Sequence, residues 1–303
     1  MAEGFEDGQR RAAVLGSPIA HSLSPVLHRA AYAELCLDWR YDAIEVDTAT
    51  LPGFLASLDE RWVGLSLTMP LKQAVLPLCA RLSPVAAAVG AANTVRWAPD
   101  RSRIGENTDV PGLVAALRSA GVGTAPDRVV VLGGGATAAS ALAVVAQLAG
   151  ASVVPAPSVP PVPGRPGPPV QPVEVYVRDP RRASELHAVG GRVGATVTVR
   201  PWSELRDGLS ADLVISAVPI AASPALAAVV PERVDGLLFD VVYDPWPTPL
   251  AGAWLAAGGA ATGGLGLLIH QAALQVELMT GRAGVAAQLV PVLAAAVERA
   301  RSS

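Results

Sequence analysis

Residues Leu132 to Ala138 read LGGGATA, and Gly133, Gly135 and Ala138 give them the spacing G-x-G-x-x-A. Four apolar residues, Val129 to Leu132, come before the glycines and an alanine-rich run comes after, so the segment reads as a turn from a strand into a helix. Glycines there let the backbone bend tightly and come close to a pyrophosphate, whose charge rests on amide groups at the helix N-terminus. Gly133, Gly134, Gly135, Ala136, Thr137 and Ala138 together form the candidate cofactor cradle, with a purely structural turn as the alternative. The next apolar run ends at Val177 and continues as Arg178, Asp179, Pro180, Arg181 and Arg182. An acid at such a strand end holds the ribose hydroxyls of NAD, whereas Arg accommodates the 2′-phosphate of NADP. Arg178 with Arg182, one helical turn on, makes a phosphate clamp; Asp179 opposes it, because a carboxylate beside a phosphate is repelled unless it points away. The expected cofactor is NADP, with NAD as the alternative.

Other reactive side chains have plainer readings when taken singly. Lys72 follows an apolar strand, and Asp109 stands before Pro111 as a helix cap would. Ser24, followed by Pro25, reads as an N-cap and the favoured first helical residue, although an anion can share that terminus. His21, His28, His187 and His270 show no metal-ligand grouping, and Cys36 and Cys79 have no C-x-x-C spacing, so no metal is assigned.

The elements that must position these residues follow from composition and period. A chain of 303 residues has room for two domains, and its apolar bulk of Ala, Val and Leu suits layered helices and buried parallel strands. The net charge of −3 supplies no basic field for nucleic acid or an acidic membrane surface. The N-terminal MAEGFEDGQRRAAVLG lacks a long apolar core for a secretory signal, and the cysteine usage suits a reducing compartment, so the expected location is cytoplasmic. Ala136 to Val154 is uncharged for nearly a bilayer's thickness, but it carries Thr137, Ser140 and Gln147 and ends in prolines, which favours a helix buried beneath a sheet.

Short apolar runs predict strands at Ala12 to Leu15, Tyr41 to Val46, Val63 to Thr68, Thr94 to Trp97, Val129 to Leu132, Val173 to Val177, Thr196 to Val199, Asp212 to Val218 and Leu237 to Val242. Helical spacing over Pro25 to Cys36 and from Asp109 to about Ser119 alternates with them, the pattern of βαβ units on a parallel sheet. Residues 155 to 172 are half proline and read as a surface insertion between one helix and the next strand.

Six further segments then fall in a fixed order. They are GSPIAHSLSP at Gly16 to Pro25, SLTMPLK at Ser66 to Lys72, GAANT at Gly90 to Thr94, GENTD at Gly105 to Asp109, YDPWPTPL at Tyr243 to Leu250, and GGLGLLIHQAA at Gly263 to Ala273. With the glycine turn they resemble the ordered motif set of the shikimate dehydrogenases, over nearly the whole chain except the first ten residues and the proline-rich run. The resemblance implies an α/β protein with a substrate-binding domain at 10–108 and a Rossmann-like dinucleotide-binding domain at 109–262. C-terminal helices at 263–303 would return to the first domain, with the active site in the cleft. It implies Lys72 and Asp109 as the catalytic pair, Ser22 and Ser24 on the substrate carboxylate, and Thr68, Asn93 and Gln271 on its hydroxyls or ring. Tyr243 closes the carboxylate side, Ser66 is a further substrate contact, and Ala217, Val218 and Gly264 join the cofactor residues.

The implied reaction is reversible NADP-dependent reduction of 3-dehydroshikimate to shikimate in the biosynthesis of chorismate and the aromatic amino acids. Reduction leaves an alkoxide that needs a proton and oxidation needs that proton removed, a task Lys72 can perform. One departure bears on the substrate: Ser66 stands where many members of the family carry Asn, and a hydroxyl cannot make an amide's two-ended contacts. With Asp179, it motivates an NAD-dependent quinate/shikimate dehydrogenase as the alternative, and a non-catalytic nucleotide-binding regulator of the same fold is a third reading. The expected partners are small molecules, with no nucleic acid or membrane, for a monomer or homodimer.

Overall fold

The computed structural model describes residues 9–124, 126–151, 172–179, 181 and 183–302. The chain divides into two compact units, one of Met1–Ala87, Ala91–Thr108 and Leu268–Ser303, the other of Ala88–Gly90 and Asp109–Leu267. Residues 155–171 of the proline-rich insertion lie outside the described residues, as does Arg182.

The first unit is built on β1 (Arg10–Gly16), β2 (Trp39–Glu45), β3 (Trp62–Leu67), β4 (Arg81–Leu82), β5 (Thr94–Trp97) and β6 (Arg103–Glu106). Their order in one sheet is β2-β1-β3-β5-β6-β4. β1 is central and buried on both faces over its last five residues, which is why RRAAVLG ends as an unbroken apolar run. β2, at the edge, buries Tyr41 and alternates half-buried and exposed positions from Asp42 to Glu45. Leu15, Leu51, Leu65, Leu67, Leu71 and Val95 fill the core on one side of the sheet.

Within the α/β class, this sheet is mixed where the βαβ pattern predicts a parallel one. β5 runs antiparallel to both β3 and β6. Only residues 98–102 separate β5 from β6, a hairpin-length loop, whereas a parallel pair needs a crossover of about a dozen residues. The Ser24–Glu34 helix lies between β1 and β2 in sequence and packs on the C-terminal Val285–Arg301 helix.

The second unit carries β7 (Val129–Leu132), β8 (Val173–Val177), β9 (Val197–Pro201), β10 (Leu213–Ser216), β11 (Leu237–Asp240) and β12 (Ala260–Gly263). Among the described residues its pairings are all parallel, in the order β12-β11-β10-β7-β8-β9. β7 and β10 are buried along their whole length, as strands covered by helices on both faces must be. Ten of the thirteen residues of the Ala136–Leu148 helix are buried, so its missing charges reflect packing in protein. Among the described residues, no helix is long and apolar enough to cross a membrane.

Candidate active site

In the first unit, the start of the Ser24–Glu34 helix differs from the predicted cap. Leu23 is the N-cap residue, with no side-chain capping bond, and Ser24 is already helical. The cap thus lies one residue before the expected Ser24, and the Ser22 hydroxyl, one residue earlier still, accepts the Ser24 main-chain N–H at 3.3 Å. Two hydroxyls two residues apart therefore stand at a helix N-terminus, where the dipole favours an anion. His28 Nδ1 meets the Ser24 carbonyl at 3.0 Å one turn on and helps hold that terminus.

β3 carries Ser66 in its length and Thr68 just past its end. The Thr68 N–H donates to the Leu15 carbonyl at 2.9 Å. A Cβ on Gly16 would overlap Thr68 Cγ2, so glycine at the end of β1 makes the room Thr68 occupies. Lys72 is half-buried in the short Leu71–Ala74 helix that follows, and its carbonyl accepts the Ala92 N–H at 2.8 Å.

The next residue, Asn93, is the hub of the unit's polar interior and is 1% exposed. Its Oδ1 accepts the Thr108 main-chain N–H at 2.8 Å and the Thr94 hydroxyl at 3.0 Å. Its Nδ2 donates to Thr108 Oγ1 at 2.8 Å and, more weakly, to Gln271 Oε1 at 3.4 Å. Gln271 Nε2 in turn donates to the Leu268 carbonyl at 2.8 Å, so main-chain groups set the orientation of both amides.

Ser66 joins this interior through a residue the sequence reading passed over. Its hydroxyl donates to Gln275 Oε1 at 2.8 Å, and Gln275 Nε2 donates to Thr94 Oγ1 at 2.9 Å and to the Asn93 carbonyl at 3.2 Å. Tyr41 closes the other end by donating to Ser66 Oγ at 2.7 Å. The His28 and Tyr41 rings stack with centroids 3.9 Å apart. Burial pushes the Tyr41 hydroxyl pKa well above its ordinary value and lowers that of His28 to about 4. Both groups are neutral near pH 7. Thr108, Tyr41, His28 and Gln275 were not singled out as site residues, yet Gln275 follows Gln271 by four positions on one helix, a spacing that puts both on one face.

The first unit thus brings Ser66, Asn93 and Gln271 into one buried network and holds Ser22, Ser24, Thr68 and Lys72 by their own local bonds. Asp109 and Tyr243 belong to the second unit. Asp109 opens the Asp109–Ser119 helix, is 6% exposed, and follows Thr108 directly in the chain. Tyr243 is half-buried in the segment after β11. Asp240 fixes that segment: its Oδ1 accepts the Val242 N–H at 3.2 Å and its Oδ2 the Thr248 hydroxyl at 2.8 Å.

The cofactor candidates of the second unit gather at the carboxyl ends of its strands. The strand order reverses between β7 and β10, the crevice where open α/β sheets take ligands. Gly133 has φ +116°, and a Cβ there would come 2.9 Å from the carbonyl of Ala217, the residue after β10. Gly133 and the Ala217–Val218 segment are therefore in close approach, and only glycine fits. Gly135 is the N-cap of the Ala136–Leu148 helix, has open space where a Cβ would be, and supplies no side-chain cap, so the first turn at Ala136, Thr137 and Ala138 meets the requirements for a pyrophosphate. Gly264, after β12, donates its N–H to the Val242 carbonyl at 3.1 Å, and a Cβ there would overlap the Val241 backbone. Arg178 is exposed at the end of β8. Asp179 engages Arg181 with both carboxylate oxygens, at 2.9 and 3.1 Å from Nε and 2.9 Å from the terminal guanidinium nitrogen.

The sequence matches the family model for the shikimate dehydrogenase substrate binding domain over residues 14–95, and that for the shikimate 5'-dehydrogenase C-terminal domain over residues 264–284. It is 34% identical over 276 residues to a shikimate dehydrogenase (NADP(+)) of Thermus thermophilus, covering 89% of this chain and 92% of the relative. Among solved structures, a shikimate 5-dehydrogenase from Mycobacterium fortuitum matches at 38% identity and TM-score 0.74, over 97% of this chain and 99% of that one. A shikimate 5-dehydrogenase of Thermus thermophilus in complex with NADP(H) and shikimate matches at 28% identity and TM-score 0.73, over 95% of this chain and all of the other.

Proposed function

We propose a reaction for this chain on the ground that it belongs to the shikimate dehydrogenase family, to whose members it is similar along nine-tenths of its length. The reaction is the reversible, NADP-dependent interconversion of shikimate and 3-dehydroshikimate, an oxidoreduction at a CH–OH carbon. The observation that carries it is the similarity to a dehydrogenase solved with both NADP(H) and shikimate. The first unit is then the substrate-binding domain and the second the dinucleotide-binding domain, in a cytoplasmic biosynthetic enzyme.

NADP, when bound, supplies the acceptor or donor of the hydride. Gly133, Gly134, Gly135, Ala136, Thr137 and Ala138 would hold its pyrophosphate, with Ala217, Val218 and Gly264 as further cofactor residues. Arg178 would hold the 2′-phosphate. The engagement of Asp179 with Arg181 supports NADP over NAD, because a carboxylate already matched to a guanidinium repels a phosphate less.

Ser22 and Ser24 take the substrate carboxylate at their helix terminus, with Tyr243 as a further carboxylate contact. Thr68, Asn93, Gln271 and Ser66 address the ring hydroxyls. Lys72 Nζ, as the neutral amine, accepts the proton of the hydroxyl undergoing oxidation and becomes the ammonium that returns it in the reverse direction. Asp109 is the second member of the catalytic pair. Nucleotide reduction by shikimate tests the proposal: turnover with NADP supports it, and NADP binding without turnover of any cyclitol acid favours a regulator of the same fold.

A further inference from the structure

Gln275, 1% exposed, uses both protons of its amide, one on the Asn93 main-chain carbonyl at 3.2 Å and one on Thr94 Oγ1 at 2.9 Å. A main-chain carbonyl can only accept, so the amide cannot be flipped, and it is Oε1 that faces Ser66. Ser66 must then donate its single proton to Gln275 at 2.8 Å. With that proton committed, Ser66 can only accept from Tyr41, whose hydroxyl donates at 2.7 Å and whose ring is fixed against His28. The sense of every hydrogen bond from Tyr41 to Thr94 thus follows from one carbonyl in the main chain. A serine hydroxyl has two lone pairs, and Tyr41 takes one. What Ser66 retains for a ligand is one lone pair and no proton.

We propose that Gln275 is a positioning residue that locks Ser66 as a hydrogen-bond acceptor, so that the site selects a substrate hydroxyl over a carbonyl oxygen at that point. The proposal rests on the reading of this unit as the shikimate-binding one. Gln275 itself touches no substrate and acts through Ser66.

Gln275→Met keeps the length of the side chain and removes its polar end, freeing the Ser66 proton to turn toward the ligand. The shikimate KM rises about tenfold, the loss of one oriented hydrogen bond, while kcat falls less than about threefold. The pH profile of kcat stays in place. Ser66→Ala raises KM similarly, and the double variant is no worse than either single one, because both remove the same contact. Gln275→Glu adds a readout that a merely structural role would not move. Its carboxyl accepts the Ser66 proton whether protonated or ionised, so Ser66 stays an acceptor toward the ligand and the shikimate KM stays within about threefold of the parent, the rescue that Gln275→Met lacks.

A KM within about twofold of the parent in Gln275→Met overturns the proposal, as do additive effects of Ser66→Ala and Gln275→Met. So does a rise of about tenfold in the KM of Gln275→Glu, a result that decides alone if the Met variant fails to fold. An unsubstituted protein that turns over no shikimate overturns the parent reading and this one with it; an active protein with indifferent variants overturns this one alone.

Discussion

The Thr108 main-chain N–H donates to Asn93 Oδ1 at 2.8 Å. Since a main-chain N–H can only donate, this bond decides which end of the Asn93 amide is oxygen and leaves Nδ2 facing Thr108 Oγ1 and Gln271. Thr108 precedes Asp109, and Ala92, beside Asn93, is bonded to Lys72. The Asn93 side chain therefore holds the residue that precedes Asp109, and the main chain of its neighbour Ala92 holds that of Lys72.

Asn93→Ala leaves the Thr108 N–H buried without its acceptor and lowers stability by about 2 kcal/mol, the penalty for an unsatisfied buried donor. Asn93→Asp keeps that acceptor but loses both donated bonds, so it retains more stability than the alanine variant while losing activity. Chemical denaturation of the three proteins, read beside their kcat/KM values, checks the order.

Lys72→Ala lowers kcat about a thousandfold if its amine moves the substrate proton, the usual scale for a positioned acid/base. Shikimate binding, followed by calorimetry, stays within a few-fold of the parent. Retention of most turnover would remove Lys72 from the mechanism.

Arg178→Ala raises the KM for NADP about tenfold or more, as expected for a lost charge-assisted hydrogen bond, and leaves the KM for NAD nearly unchanged. Steady-state kinetics with each nucleotide measures the split. Equal effects on both would mean that Arg178 does not meet the 2′-phosphate.

His28 makes stability depend on pH. Its folded pKa is about 4 against 6.5 for the free side chain, so the unfolded chain binds the proton more readily. Its contribution is fully present above pH 6.5 and is lost as pH falls toward about 4. Thermal unfolding between pH 7 and pH 4 should show this loss, and His28→Gln should flatten it.

The parts of the fold written in local pattern were legible in the chain. Thr94–Trp97, Val129–Leu132 and Val173–Val177 are strands at their predicted bounds, because each is a short apolar run between turns. β4, β6 and β12 were missed, being two to four residues long and only partly apolar. The antiparallel course of β5 is a property of pairing, which periodicity does not carry. The same limit applies to the site. Lys72, Asn93 and Gln271 stood out through their motifs, whereas Gln275 reaches Ser66 across 209 positions of sequence, and only its spacing from Gln271 hinted at a role. Ser24 was misread because the cap lies one residue earlier, at Leu23, and the hydroxyl bonded there is that of Ser22, a choice between neighbouring hydroxyls that depends on loop geometry.

The most direct test is kcat/KM measured for shikimate and for quinate, each with NADP and with NAD. Shikimate with NADP should exceed every other pairing by about tenfold or more, the discrimination expected from one matched contact on each ligand. Turnover led by quinate with NAD, or no turnover in any pairing, would contradict the assignment.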